Sequence, residues 1–376
     1  MTNSKKILWW IVGIIVLIVI VLVAISSSRS NSNIKIGAIY PLTGGLASYG
    51  EPSQKAAQLA ADEINAAGGI NGKKLEIDFQ DHKCDPKTAV SVLQQLTGEG
   101  VKVFTSAACT GAVVSMEPIL QSTNSVLVST LTTGAKLTGS SPNFFRNWGS
   151  DIAESKLFAD AIRTAGYKKV VAINEQTDYA AGLVTGIQNF LKNDNVQVSA
   201  ESFPTGTTDV RTQLTKLKSL NPDLIFISPQ TVTTGEIILS QMEELNFKPV
   251  HIFINDNITK SADLLSKHAK LLEGAVGADY VIAQNADTQN LLQKYKAKYG
   301  TDCPQTNICV GAYDTINLLA DAIKNKGYDA NAIKSYLSSV NYSGVGGNIS
   351  FDNQNDRKDA NYSLFQVKNG VASVSK

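Results

Sequence analysis

The chain has 376 residues, a net charge of +1, 43% hydrophobic residues and 18% charged ones. That length accommodates two domains of roughly 150 residues each, and the composition excludes a disordered or fibrous chain. Residues 1–33 hold Lys5, Lys6 and Arg29 and no acid, leaving 31 basic against 33 acidic residues beyond them, so the concentrated basic face that nucleic acid requires is missing.

Lys5 and Lys6 precede an unbroken apolar run from Ile7 to Ile25. At about 1.5 Å per helical residue such a run matches the hydrocarbon core of a bilayer. The run predicts one transmembrane helix at the N-terminus, with the lysines in the cytoplasm and the rest of the chain outside. The protein is therefore expected at the cell membrane, single-pass, with its folded part extracytoplasmic. A cleaved signal peptide is the competing reading, but its apolar region is usually shorter. No cysteine follows the run closely enough to carry a lipid, and Ser26 to Asn33 reads as a flexible linker. The four cysteines, Cys84, Cys109, Cys303 and Cys309, lie beyond the run. An even count in an exported chain predicts two disulfides. Three pairings are open; the short spacing favours Cys303 with Cys309, which leaves Cys84 with Cys109.

From Ile34 onward short apolar strands alternate with helices. Strands are expected at Ile34–Tyr40, Leu75–Gln80, Val101–Ser106, Val126–Thr130 and Phe144–Asn147. They continue at Lys169–Asn174, Val196–Phe203, Leu224–Ser228 and His251–Ile254. Helical spacing of apolar residues marks Gln54–Ala66, Thr88–Leu96, Ile152–Thr164, Gly182–Lys192, Val210–Ser219, Gly235–Leu245, Thr288–Tyr299 and Val310–Lys324. Asn369-Gly370, between Ser363–Val367 and Val371–Val374, is a hairpin signal. Continuous apolar runs such as Val170–Ile173 suit parallel strands buried on both faces. The alternation predicts an α/β protein with two open parallel sheets, broken near Gly149-Ser150. Ligands of such sheets bind beyond the carboxyl ends of the strands. The loops there are rich in Thr, Ser, Gly, Asn and Tyr, which offer hydroxyls, amides and backbone N–H groups but few general bases.

A search for catalytic chemistry finds little. His82, His251 and His268 are the only histidines. His82 reads as a solvated surface residue and His268 as lying on a polar helix face. None has a partner at metal-ligand spacing. No nucleophile elbow or phosphate-binding loop is present, and Gly344–Gly347 precedes a strand where a dinucleotide site would need a helix. The chain reads as a binding protein and not an enzyme, without metal or cofactor. Ala107–Gly111 follows a strand and opens a helix, whose free N–H groups make an anion site to which the Thr110 hydroxyl can add. Ser129–Thr133, after the next strand, should lie beside it, and two such loops can hold both ends of a zwitterion.

Ile36-Gly37-Ala38-Ile39-Tyr40-Pro41-Leu42-Thr43-Gly44 resembles the start of the branched-chain amino-acid binding proteins of bacterial ABC transporters. The likeness continues through Ala47-Ser48-Tyr49-Gly50, Ala61–Gly72 with its Ile-Asn-Ala-Ala-Gly-Gly-Ile run, Cys84–Ala89, Pro222–Ile225 and Ala312-Tyr313-Asp314. It covers the chain from about residue 34 to the end. The resemblance implies the type I periplasmic binding protein fold, two Rossmann-like lobes joined by a three-strand hinge. Residues 34–150 with 282–343 would form lobe 1, and 151–281 with 344–376 lobe 2, after the membrane segment and linker of 1–33.

Carried over residue by residue, the resemblance implies a Cys84–Cys109 disulfide near the cleft and a ligand carboxylate on Thr110. Leu131, through its backbone, and Thr133 would meet the ligand's polar ends, Asp256 its ammonium, and Tyr49 and Tyr179 its side chain. Asp151 fits a helix cap. Gln230 stands where relatives show glycine or an aromatic ring, which opens the pocket to polar amino acids or amides. The resemblance further implies a monomer that captures an amino acid by hinge closure and delivers it to a permease with its ATPase. The alternative is a sensor ectodomain signalling through a separate partner; the absence of a kinase or methyl-accepting segment after the hairpin argues against it.

Overall fold

The computed structural model describes residues 33–375. The predicted membrane segment lies outside them; among the described residues no helix is long and apolar enough to cross a membrane. The first sheet contains β1 (Ile34–Tyr40), β2 (Leu75–Asp81), β3 (Val103–Ala107), β4 (Val126–Thr130) and β5 (Phe144–Arg146), all parallel in the order β2-β1-β3-β4-β5. The helices that follow its strands are α1 (Ala47–Ala66), α2 (Pro86–Gly98) and α3 (Thr110–Ser122), and α4 (Asp151–Ala165) opens the second half. The second sheet contains β6 (Lys169–Glu175), β7 (Gln197–Phe203), β8 (Leu224–Ser228), β9 (His251–Ile254) and β10 (Val276–Val281). Between them run α5 (Asp178–Leu191), α6 (Arg211–Ser219), α7 (Val232–Glu244), α8 (Asp256–Thr259) and α9 (Ala262–Lys267). The chain then returns to the first half through α10 (Ala286–Tyr299), α11 (Thr306–Lys326) and α12 (Ala330–Leu337). A small hairpin, β11 (Tyr342–Gly344) with β12 (Gly347–Ile349), precedes β13 (Asn361–Lys368) and β14 (Val371–Val374), which join the second sheet.

The continuous apolar strands are buried on both faces. Ile36, Ala38 and Tyr40 of β1 pack into one core and Ile39 into another. In β6, Val171 and Ile173 face one core while Val170 and Ala172 face the other. The second sheet is not wholly parallel: β10–β13 and β13–β14 are antiparallel, because the chain re-enters that sheet from the other lobe. Gly344 to Gly347 make the turn of the β11–β12 hairpin, and the Asp314 carboxylate accepts N–H bonds from Val345 and Gly346 at 2.8 and 2.9 Å. Ile349 and Phe351 pack in the core of the first sheet, although 344–376 had been expected in lobe 2.

The chain crosses between the sheets three times, after β5, after β10 and before β13. Each crossing contributes one ring to a stack. Trp148 lies 4.5 Å from Tyr280, and Tyr280 lies 6.0 Å from Tyr362, between centroids. A Cβ at Gly149 would stand 2.3 Å from the Tyr362 ring, so no larger residue fits there. The expectation of a solvated His82 is corrected. It is fully buried, its Nδ1 accepts the Cys84 N–H at 2.9 Å, and burial pulls its pKa down to about 4. His268 is also buried, between Glu236 at 3.0 Å and Glu243 at 3.2 Å.

Candidate ligand-binding cleft

Two loops at the carboxyl end of the first sheet build one wall. After β3 the chain turns through Ala108 and Cys109, both left-handed with φ of +57° and +59°, and α3 starts at Thr110. After β4, Leu131 is left-handed as well, at +60°. Such backbone costs about 1–2 kcal/mol per non-glycine residue, and strain of this kind collects at functional sites. Ala107 pairs with Thr130 across the parallel strands, which sets the loops side by side. Thr132 donates to the Ala108 carbonyl at 2.9 Å, and the Gly134 N–H donates to the Thr110 hydroxyl at 3.2 Å. Arg146 supports the second loop from behind. Its Nη1 donates to the carbonyls of Thr133 and Gly134, while Nε and Nη2 bind Asp356. Cys84 is bonded to Cys109, and Cys303 to Cys309.

The facing wall comes from the second sheet. Thr177 caps α5 by accepting the Ala180 N–H and so sets Tyr179 at the cleft. After β8 the Gln230 N–H donates to Glu175 at 3.0 Å. After β9, Asn255 caps α8 and donates to the Tyr179 hydroxyl at 3.0 Å and the Pro229 carbonyl at 2.8 Å. The Tyr179 hydroxyl donates in turn to Asp256. Asn257 donates to the Gln230 carbonyl at 2.9 Å and accepts from the Tyr49 hydroxyl at 2.7 Å, a bond from one wall to the other.

Tyr49, Thr110, Leu131, Thr133, Tyr179, Gln230 and Asp256 all line a single narrow cavity between the walls. Its unfilled space, including the part open to solvent, is about 410 Å³. Sequence reasoning missed Lys260, which also lines the cavity. Its Nζ lies 2.7 Å from Asp256 and 3.4 Å from Asp279, so Asp256 already has an ammonium beside it. Burial opposes the Lys260 charge, but Asp256 and Asp279 prevail and hold its pKa well above the ordinary value. An acid four residues before a lysine was the available signal.

Asp151 is not the cap of α4. The Ser150 hydroxyl accepts the Ile152 N–H, while Asp151 lies in the first turn and donates its own N–H to the Thr133 carbonyl at 2.8 Å. Asp151 and Glu154 are both fully buried, and none of their four carboxyl oxygens completes a hydrogen bond among the described residues. Burial pushes Asp151 up to about 7; the Thr133 hydroxyl pulls it down and Asp256 pushes it further up. Glu154 is raised well above the carboxylate range by burial, then by Asp256 and Asp151. Neither carboxyl lines the cavity itself; Asp256, with Lys260 beside it, is the carboxylate that does. The opposite wall carries the first turn of α3, whose backbone N–H groups favour an anion.

Two α/β lobes, three crossings and a polar cavity between them define a hinged solute-binding protein, a class that captures a solute without transforming it. Residues 33–372 match the periplasmic binding protein family, and the chain belongs to that family. It is similar to the Leu/Ile/Val-binding protein homolog 3 of Brucella melitensis biotype 1, at 25% identity, covering 84% of this chain and 88% of that one. Among solved structures it is similar to the branched-chain amino acid transporter substrate binding protein LivJ of Streptococcus pneumoniae in complex with isoleucine. That match has a TM-score of 0.77 and 27% identity, and covers 91% of this chain and 98% of the other. The leucine binding protein LivK of Thermotoga maritima shares the fold, with a TM-score of 0.80 and 24% identity over 91% of this chain and 98% of the other.

Proposed function

We propose that this protein is the extracytoplasmic substrate-binding component of an ABC importer, and that it closes its lobes around an amino acid. The observation that carries this reading is the polarity of the one cavity that Tyr49, Thr110, Leu131, Thr133, Tyr179, Gln230 and Asp256 line. A zwitterion lies along it with its ammonium toward Asp256 and its carboxylate on Thr110 and the first turn of α3. Buried ammonium and carboxylate groups need such partners. Gln230, Asn257 and Lys260 reach the same space and favour a side chain that tolerates amides beside it. The relatives that bind isoleucine or leucine support an amino acid of the branched-chain kind or one of similar size.

A ligand held by both walls binds the closed state best and shifts the population toward it. The closed form then docks, as a monomer, on a permease served by its own ATPase. We take 34–150 with 282–343 as lobe 1 and 151–281 with 344–376 as lobe 2, and the packing of Ile349 and Phe351 supports moving the last boundary beyond residue 351. Residues 7–25, by their apolar length and the flanking Lys5 and Lys6, anchor the protein in the membrane.

The test is a thermal-shift panel of amino acids, amides and carboxylates on residues 33–376. A ligand that binds only the folded state raises the melting temperature by mass action, and amino acids are expected to do so. Amides alone shifting the melt would remove the ammonium assignment; no shift from any member would overturn the reading. Asp256→Ala should cost about 2–5 kcal/mol of amino-acid affinity by calorimetry, and unchanged binding would remove Asp256 from the site.

A further inference from the structure

A second chamber lies outside the cavity just described and opens from it. Leu46, Cys109, Thr110 and Gln230 line both spaces, while Tyr179, Asp256, Asn257 and Lys260 line only the inner one. Counted in the same way, with the part open to solvent included, the outer space is about 1350 Å³. It is not simply the gap of parted lobes, since the lobes already meet around it. Tyr49 bonds Asn257, and Lys136 pairs with Asp178. Cβ atoms at Gly45 and Gly111 would stand 3.3 Å from Thr231 and 3.2 Å from Asp178. With those contacts made, the outer space remains.

Its position relative to the inner cavity gives it a direction. Asp256 belongs only to the inner cavity, and Thr110 is where the two spaces join. A ligand whose ammonium is deep therefore points its carboxyl end into the outer chamber. Leu46, Pro86, Ala181 and the Cys84–Cys109 bridge give that chamber apolar walls. Glu175, buried and accepting the Gln230 N–H, lies in it, and Lys83 stands exposed at its rim.

We infer that the cleft accepts amino acids extended at the carboxyl end through an amide, namely short peptides with a free amino end, whose second residue occupies the outer chamber. The inference rests on the proposed placement of the ammonium. The peptide carbonyl takes the place of one carboxylate oxygen at Thr110 and the first turn of α3, the next side chain lies against Leu46 and Ala181, and the terminal carboxylate reaches the rim at Lys83.

The experiment is titration calorimetry of residues 33–376 with isoleucine, leucine and glutamine, and with the dipeptides that carry each of these before alanine. Two variants narrow the outer chamber without touching the inner cavity: Ala181→Trp on α5 and Thr205→Trp on an exposed turn. Melting curves first confirm that both are folded. At least one dipeptide should bind within about tenfold of its free amino acid. Each folded variant should then weaken that dipeptide more than about tenfold while leaving the free amino acid within about twofold. Free amino acids binding with every dipeptide weaker by more than tenfold would overturn the inference and leave the proposed function standing. Dipeptide binding that a folded variant does not change would also overturn it. Binding of neither class would overturn both.

Discussion

Asp151 and Glu154 place four carboxyl oxygens in the protein interior that complete no hydrogen bond among the described residues. Burial raises both pKa values, Asp151 from 3.8 to about 7, with Asp256 adding to each. A carboxyl group whose folded pKa is raised costs nothing below its ordinary value, where it is protonated in both states. The ligand-free protein should therefore lose stability as pH rises from about 4 through 7, as the unfolded chain ionises and the folded one resists. Glu154→Gln and Asp151→Asn remove that penalty. Each should raise stability near pH 8, Asp151→Asn by on the order of 1–4 kcal/mol, with the difference closing toward pH 4. Thermal melts of ligand-free protein across that range measure it; parallel curves for wild type and variants would show that neither group resists ionisation. Lys260 acts in the opposite sense, because it neutralises Asp256 and Asp279. Lys260→Met leaves the buried Asp256 and the half-buried Asp279 without their cation and should cost about 3–5 kcal/mol, read as a lower melting temperature at neutral pH. A melt unchanged by that substitution would mean the ion pairs contribute nothing.

The two disulfides act on different elements. Cys84–Cys109 closes 25 residues and ties together two turns that are both left-handed, at Lys83-Cys84 and Ala108-Cys109. Cys303–Cys309 closes only 6 residues before and within α11. Chain entropy alone gives about 3–4 kcal/mol for the longer loop and about 2 kcal/mol for the shorter. Replacing Cys84 and Cys109 by serine should lower the melting temperature more than replacing Cys303 and Cys309, and only the first pair should also weaken ligand binding, because only it holds the Thr110 loop. Equal losses of binding would place the effect elsewhere. The strands were readable because their apolar runs have no other use: β1, β4, β8 and β9 begin and end where the hydrophobic pattern does. Helix starts were harder. α1 begins at Ala47 and not Gln54, since Gly50 and Pro52 read as breakers. Gly50 is there because a Cβ would stand 2.0 Å from the Pro41 carbonyl oxygen. β10 was missed because Gly277 and Asp279 interrupt its apolar pattern; a Cβ at Gly277 would meet the Thr259 hydroxyl, and Asp279 serves Lys260. At the cleft, loop positions after strands were legible from topology. The burial of Asp151 and Glu154 was not, because acids in a helix's first turn are ordinary on any solvated helix.

For the whole molecule, closure depends on few contacts and on two small residues. Tyr49 to Asn257 and Lys136 to Asp178 join the walls, and Gly45 and Gly111 leave room for Thr231 and Asp178 to approach. The rings of Trp148, Tyr280 and Tyr362, one from each crossing, pack against one another at the hinge. If these lip contacts between the walls set the balance between open and closed, substitutions there shift it. Tyr49→Phe removes one neutral hydrogen bond, worth about 0.5–1.5 kcal/mol, and should shift ligand-free protein modestly toward the open form. Gly111→Leu places a branched side chain against Asp178 and should block closure outright. The radius of gyration by small-angle scattering distinguishes the two. Wild type and Tyr49→Phe should contract when saturated with a bound amino acid, whereas Gly111→Leu should stay extended and bind far more weakly. Its ligand-free melting temperature should remain near wild type, because the close approach is to Asp178 of the opposite lobe, and Pro86 of its own lobe is met only at an ordinary 3.9 Å. Contraction of Gly111→Leu to the wild-type value would mean that closure is set by the hinge and not by the lips.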